Sequence, residues 1–335
     1  MSGPVSEAQA QPPFAGTRVL ITGGLGFVGS NLARRLVGAG AEVTLIDCLQ
    51  PNQGGLRHNI SGIEDRLRVE IGDLRDEALL ARLLPGQEVI FNLAGQTSHL
   101  DSMRDPQLDM ELNCRAHLTL MEAWRRWAPE ARTVFASTRQ IYGRPDYLPV
   151  DEAHPLRPVD INGAHKLAGE TYHRLYGEVY GLKAAVLRLT NTYGPRMRVK
   201  DARQTFLGVW ISLALQGQPF EVWGGGQLRD FSYVDDVVEA MLLTASTPAA
   251  FGEVFNISGA PPLSLTDTAE LLARLAGARY EVREFPAERR RIDIGDFHAD
   301  DGKFRDLTGW APRIGLEEGL KLTLEYFREN LAAHL

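Results

Sequence analysis

From residue 18 onward, short β-branched runs alternate with longer stretches of helical periodicity, and this alternation is the strongest constraint on the fold. RVLIT (18–22), EVTLI (42–46), LRVEI (67–71), EVIFNL (88–93), RTVFAS (132–137) and AAVLRL (184–189) read as buried strands. Helices are predicted between them near 27–39, 76–84, 106–127 and 160–180. Strands alternating with helices form βαβ units, which build a parallel sheet covered by helices on both faces. The predicted fold is therefore a Rossmann-type, doubly wound α/β domain. No short repeat period runs through the chain, so a solenoid is not expected.

After residue 190 the rhythm changes. NTYGPRMRVKDARQTF is punctuated by Gly and Pro and is strongly basic. Helices follow near 205–216, 234–245 and 265–277, with a strand at 253–257. The expected organisation is a disordered lead over 1–15 and a cofactor-binding domain over 16–190 to which 230–257 returns. Residues 191–229 and 258–335 would form a smaller substrate lobe.

Composition narrows the class of function. The 335 residues are 44% hydrophobic and 24% charged, as in ordinary globular proteins. A net charge of -7 argues against a nucleic-acid partner, which usually demands a basic excess. Two cysteines, Cys48 and Cys114, suggest neither a disulfide framework nor a metal site, and no metal is expected. The N-terminal segment has no secretory pattern, and no apolar run approaches the roughly 20 residues of a membrane helix. A cytoplasmic location without membrane association is expected.

TGGLGFVGSNL follows the first strand and opens a helix. Gly23, Gly26 and Gly29, flanking Phe27 and Val28, have the spacing that lets backbone approach a pyrophosphate at a helix N-terminus. Asp47 ends the second strand, where a carboxylate accepts hydrogen bonds from an adenosine ribose and repels a 2′-phosphate. NAD is thus favoured over NADP. Asp73, with Leu74 after the third strand, is placed to reach the adenine.

TGGLGFVGSNL, GDL, NLAGQ and NTYGP, in this order and spacing, resemble the extended short-chain dehydrogenase/reductase family, and its nucleotide-sugar epimerase and dehydratase branch. The resemblance spans about residues 16 to 330. It implies that Asn92, Leu93, Ala94 and Gly95 line the cofactor and that Asn113 steadies the strand carrying the active site. In that family a Ser or Thr, a Tyr and a Lys usually carry the chemistry, the Tyr exchanging a sugar hydroxyl proton. FASTRQIYG (135–143) puts Thr138 on the hydroxyl position, and Lys166 matches the Lys. The Tyr position is Asn162, an amide that does not ionise near neutral pH.

Four residues are candidates for the missing proton carrier. Lys166 qualifies if burial beside a positive nicotinamide lowers its pKa. His165 has a suitable pKa as a residue type, but adjacent helix positions point about 100° apart. Tyr142 is close in sequence, and His99 lies on a segment that borders the sugar pocket in relatives. The reading favours Lys166 with Thr138 and keeps His99 open.

Relatives that dehydrate a hexose carry an Asp-Glu pair after the Thr. Here Arg139 and Gln140 stand there, and the Glu typical of glucuronate decarboxylases is also absent. The resemblance then implies an NAD-dependent nucleotide-sugar epimerase acting at C4 through a transient keto sugar. The alternatives are a ketosugar reductase, a UDP-glucuronate decarboxylase-like enzyme, or a sugar-nucleotide-binding protein without activity.

Arginine forks suit diphosphate oxygens, and arginines cluster as Arg196, Arg198 and Arg203 with Lys200, as Arg229, and as Arg289 to Arg291. The resemblance assigns Asn191 to the sugar or phosphate, with Thr138 and Arg139 also at the substrate. It assigns Arg203 to a sugar substituent, and Arg229 with Arg291 to the diphosphate. Trp223 is a candidate for stacking on the base or for core packing. A homodimer is expected through the helices near 106–127 and 160–180, with Leu112, Leu118, Leu120, Met121 and Trp124 suggesting burial on two sides.

Overall fold

The computed structural model describes residues 14–51, 53–203, 205–259, 261–286 and 292–335; residues 1–13, expected within the disordered lead, and Arg289 to Arg291 lie outside them. Six strands in the first half are β1 (Arg18–Thr22), β2 (Glu42–Asp47), β3 (Arg68–Ile71), β4 (Val89–Asn92), β5 (Arg132–Thr138) and β6 (Lys183–Leu189). A later strand, β11 (Val254–Ile257), pairs with β6 and completes a seven-stranded sheet of order β11-β6-β5-β4-β1-β2-β3. Every pairing in it is parallel. The expected doubly wound fold is therefore found. Chain order reverses between β1 and β4, and the crevice beyond the carboxyl ends of these strands is where such sheets bind ligands.

The helices α1 (Phe27–Gly38), α2 (Glu77–Leu83), α3 (His99–Arg104), α4 (Pro106–Met110), α5 (Ala116–Trp127) and α6 (Ile161–Tyr180) alternate with these strands. One face of the sheet packs Val19, Ile21, Leu45 and Phe91 against Leu32 and Leu36 of α1, among others. The other packs Leu20, Ile46 and Ile90 against Leu80, Leu120, Met121 and Trp124. Each fully buried Leu, Ile or Val contributes about 1.5–3 kcal/mol by leaving water.

The helix predicted over 106–127 is continuous but passes through a π-helical turn, Glu111–Arg115, between α4 and α5. The extra residue in that turn rotates the following face. Leu112, Leu120, Met121 and Trp124 are buried, whereas Leu118, on the side expected to meet a second copy, is 41% exposed in the single chain. π-turns of this sort concentrate at functional sites, and this one carries Asn113.

Helix α6 begins at Asp160, whose side chain accepts the Gly163 N–H at 2.7 Å, and ends at Gly181 in the left-handed conformation. Its buried stripe is Asn162, Gly163, Lys166, Gly169, Glu170 and His173, the three-and-four spacing of one helical face. That stripe is largely polar, so each buried group needs a partner.

The later elements include β7 (Asn191–Tyr193), α7 (Phe206–Leu215), β8 (Phe220–Trp223), β9 (Leu228–Arg229), β10 (Phe231–Tyr233) and α8 (Val234–Ser246). After β11 come β12 (Leu263–Ser264), α9 (Leu265–Ala276), β13 (Tyr280–Arg283), α10 (Gly302–Thr308) and α11 (Leu316–His334). Three small pairings lie outside the large sheet: β7 with β10 and β8 with β13, both parallel, and β9 with β12, antiparallel.

Candidate active site

The glycine turn after β1 is built for close approach. Gly23 has φ +65°, and a Cβ there would stand 3.0 Å from the Ala94 backbone. A Cβ at Gly29 would fall within the carbonyl oxygen of Gly23, so only glycine lets α1 reach the turn. The N-cap of α1, Gly26, offers no side-chain oxygen, and the first turn holds no acid. The helix N-terminus therefore has its N–H groups and positive dipole end available to an anion.

Gly23, Gly26, Phe27, Val28 and Gly29 form one end of a long cleft. Asp47 lines the same cleft, its carboxylate accepting Leu25 N–H at 3.1 Å and Leu49 N–H at 2.9 Å. Burial raises its pKa, and the two backbone donors work against that. Asp73 and Leu74 also border the cleft, but the Asp73 carboxylate is paired with Arg75 at 2.7 Å, which lowers its pKa. Leu93, Ala94 and Gly95 form the opposite wall.

Asn92 does not line the cleft. It points into the core, accepting the Thr22 hydroxyl at 2.8 Å and reaching His117 and His173 at 3.0 and 3.2 Å. Thr22 in turn accepts the N–H groups of Leu93 and Ala94 at 3.0 and 3.1 Å, so this network holds the wall from beneath. Asn113 is likewise buried below Gly95, donating to the Gln96 carbonyl at 3.1 Å. It lies behind the wall, and its contact is with the turn after β4 rather than with β5.

At the other end of the cleft, β5 and α6 bring Thr138, Asn162 and Lys166 together. Thr138 caps the following turn by accepting the Gln140 N–H at 3.2 Å. Lys166 is buried, donates to the Ala136 carbonyl at 3.3 Å and lies 5.1 Å from the centre of the Phe135 ring. Burial lowers its pKa to about 8, with Asp109 opposing the shift. The residue one turn on, Glu170, faces away from the cleft and forms a buried ion pair with Arg188.

Asn162 is 2% exposed. Its amide donates to the Gln96 carbonyl at 2.7 Å and lies 3.3 Å from Gln96 Oε1 and 3.2 Å from Asp109 Oδ2. His165 binds the other Asp109 oxygen at 2.7 Å and lines neither cleft, as its helical position required. Tyr142 is fully buried, its hydroxyl donating to Asn256 and accepting from Arg188, each at 2.7 Å. Burial pushes its pKa up to about 12. Neither residue can serve the sugar.

His99 occupies a different place. It lines both the first cleft and an adjoining cavity of about 630 Å³, within the usual ligand-site range. His99 Nδ1 lies 2.9 Å from Asp160 Oδ2, off the line of a good hydrogen bond but within ion-pair distance. Asp160 is also held by the Gln140 amide at 2.8 Å. Asp160, Gln96 and Asp109 escaped sequence reasoning. Asp160 carried only the signal of an N-cap residue, Gln96 closes the NLAGQ motif without a role having been assigned to it, and Asp109 carried no signal.

The adjoining cavity shares Arg139, Gln140 and Asn191 with the first cleft and continues to Arg203, Trp223 and Arg229. Arg139 donates to the Asn191 side chain at 2.7 Å. Burial, then the neighbouring Arg229, lowers its pKa to about 10. Arg229 is buried and pairs with Asp293 at 3.2 Å. Arg203 is already paired with Asp101 and Asp201. The basic run is therefore split: Arg196 binds Asn31 of α1, whereas Arg198 and Arg203 share Asp201 within the run. Arg291 lies outside the described residues.

The profile of the NAD dependent epimerase/dehydratase family matches residues 19–258. A putative UDP-glucose 4-epimerase of Methanocaldococcus jannaschii is 31% identical over 320 residues, covering 93% of this chain and 99% of the relative. The UDP-glucose 4-epimerase of Mycolicibacterium smegmatis is 32% identical over 316 residues, with the same coverage. The UDP-glucose 4-epimerase of Thermotoga maritima, solved with UDP-glucose, superposes with a TM-score of 0.85 at 31% identity, covering 94% of this chain and 100% of that one. With this sheet, this glycine turn and this match over most of its length, the chain belongs to the NAD-dependent epimerase/dehydratase family.

Proposed function

We propose that the protein is a nucleotide-sugar epimerase acting at C4. The observation that carries the reading is the meeting of two clefts at His99, Arg139, Gln140 and Asn191, beside Thr138 and Lys166. One cleft has the glycine turn and the Asp47 carboxylate that suit NAD. The other has the volume and the buried arginine that suit a nucleotide diphosphate sugar.

Bound NAD+ would supply the acceptor and donor of hydride at the sugar carbon. The remaining work falls to the chain. Thr138 is at hand to hydrogen-bond the reacting hydroxyl. Lys166 brings positive charge to the same place without competing for solvent. Asn162, with its amide hydrogens directed at Gln96 and Asp109, is a positioning group. Asn191 and Arg229 are assigned to the substrate in the second cleft, and we place the substrate lobe in 191–229 and 258–335. Arg139 and Gln140 supply no carboxylate where the elimination of water needs one, so dehydration is disfavoured.

The reading includes a homodimer. Leu118 on α5 and Leu175, Val179 and Tyr180 on α6 expose an apolar surface, and large exposed apolar patches mark interfaces. Free thiols at Cys48 and Cys114 suit a reducing compartment, and we assign the protein to the cytoplasm. No helix among the described residues is long and apolar enough to cross a membrane.

The test is incubation of NAD+-loaded protein with UDP-, ADP-, GDP-, CDP- and dTDP-sugars. One of them is expected to yield its C4 epimer without net change in the cofactor. Stoichiometric consumption of NADH without an epimer identifies a ketosugar reductase instead, and no turnover of any sugar identifies a binding protein.

A further inference from the structure

We propose that His99, held by Asp160, is the residue that exchanges the sugar hydroxyl proton. The inference rests on the epimerase reading and names the group that reading lacks. Oxidising a hydroxyl-bearing carbon releases a hydride and a proton, and the proton needs an acceptor within hydrogen-bond reach.

Most candidates near the reacting end are already committed. Tyr142 is sealed in the core between Asn256 and Arg188. His165 is turned to Asp109. The Asn162 amide cannot ionise, and its hydrogens face Gln96 and Asp109. Lys166 is enclosed by backbone and ring, with the Ala136 carbonyl and Phe135 as neighbours.

His99 has one ring edge against a carboxylate and, among the described residues, no partner on the other; unlike His165, which is similarly held but lines neither cleft, it borders both. Nδ1 is buried 2.9 Å from Asp160, whose side chain is 0% exposed, while the imidazole as a whole is 36% exposed where the two clefts join. Asp160 cannot drift, because Gly163 N–H and the Gln140 amide hold its two oxygens. A carboxylate behind Nδ1 selects the tautomer with the proton on Nδ1, leaving the Nε2 lone pair toward the cleft, and stabilises the imidazolium once it forms. Arg139 also borders this junction and Lys166 lines the first cleft, and Asp160 is the carboxylate that stands as counter-ion to the imidazolium.

The step balances. The O–H bond of the sugar hydroxyl breaks and its proton goes to His99 Nε2. The C–H bond at the same carbon breaks with its electron pair, which reduces NAD+ as a hydride, and a carbonyl forms. Return of hydride to the opposite face and of the proton from Nε2 gives the epimer. Asp160 touches neither substrate nor cofactor and is a positioning residue.

The test uses the full chain. In the cofactor-free protein, nitrogen NMR of the His99 ring is expected to find the proton on Nδ1, with the signal altered in D160N, a variant that keeps an N-cap. A wild-type ring protonated on Nε2 would overturn the inference. With NAD+ and the sugar nucleotide found active, formation of reduced nicotinamide is followed by absorbance. H99Q is expected to slow it by about 10²–10⁴-fold, with added imidazole restoring part of the rate and the melting temperature unchanged. D160N is expected to displace the acid limb of the kcat/KM profile. A rate for H99Q within about threefold of wild type overturns the role of His99 and leaves the epimerase reading intact. So does a profile whose acid limb survives in H99Q and disappears in Lys166→Met. A wild-type protein that reduces no NAD+ with any sugar nucleotide overturns the epimerase reading itself, and the proposed proton transfer with it.

Discussion

Replacing Glu170 with Ala removes one half of an ion pair that lies behind the active site. Glu170 and Arg188 have side chains 1% and 3% exposed. The Arg188 guanidinium meets both carboxylate oxygens, Nε reaching Oε2 at 3.1 Å and Nη2 reaching Oε1 at 2.5 Å, and the Ser137 hydroxyl donates to Oε2 at 3.1 Å. After truncation, Arg188 retains Tyr142 at 2.7 Å but loses its only charge partner among the described residues. A buried charge left unpaired costs about 3–5 kcal/mol, a large part of the roughly 5–15 kcal/mol that holds a domain together. At about 2–4 °C per kcal/mol, Tm is expected to fall by about 6–20 °C. Equilibrium urea unfolding with a thermal scan measures both quantities. The double variant Glu170→Met/Arg188→Met removes the orphaned charge and is expected to recover most of the loss. A single variant that loses less than about 1 kcal/mol, or a double variant less stable than the single, would refute the reasoning. Because Ser137 precedes Thr138 and Glu170 follows Lys166 by one turn, turnover is expected to fall with the single variant even where it remains folded.

Gly29→Ala forces a methyl into the Gly23 carbonyl, whereas Gly38→Ala in the same helix meets no atom within 4 Å; calorimetry is expected to show NAD affinity at least about tenfold weaker for the first and unchanged for the second. Burial lowers the pKa of His173 to about 4 and that of His117 well below its ordinary value, so both stay neutral in the fold. The unfolded chain then binds more protons below pH ~6.5, and stability falls as pH drops from there toward 4, His173 alone accounting for about 3 kcal/mol. Urea midpoints compared between wild type and His173→Gln across this window isolate that contribution from Asp47 and Glu152, whose raised pKa values act in the opposite direction. Val179→Lys puts a charge on a residue 64% exposed in the single chain; it is expected to yield monomers in sedimentation without loss of Tm, and an unchanged mass would contradict the proposed dimer face.

The sequence by itself determined the class of sheet, because burial on both faces leaves apolar runs of strand length between helical periods. It also determined the glycine turn, since Gly23 and Gly29 stand where no side chain fits, and the Asp47 position at the end of the second strand. All of these are local patterns. The tertiary structure decided what those patterns could not contain. The π-turn at Glu111–Arg115 carries no residue signature. The basic run from Arg196 to Arg203 reads as one cluster, yet Arg196 turns to Asn31 of α1 and Arg203 reaches Asp101 of α3, while Arg198 and Arg203 are neutralised by Asp201 within the run. Asn162 was legible as an anomaly, but its amide partners, Gln96 and Asp109, come from other segments. His99 and Asp160 meet only because β4 and β5 are neighbours in a parallel sheet, which brings the segment after one strand against the start of the helix that follows the other. A side chain's chemistry is written in the sequence; its partners are set by packing over long range.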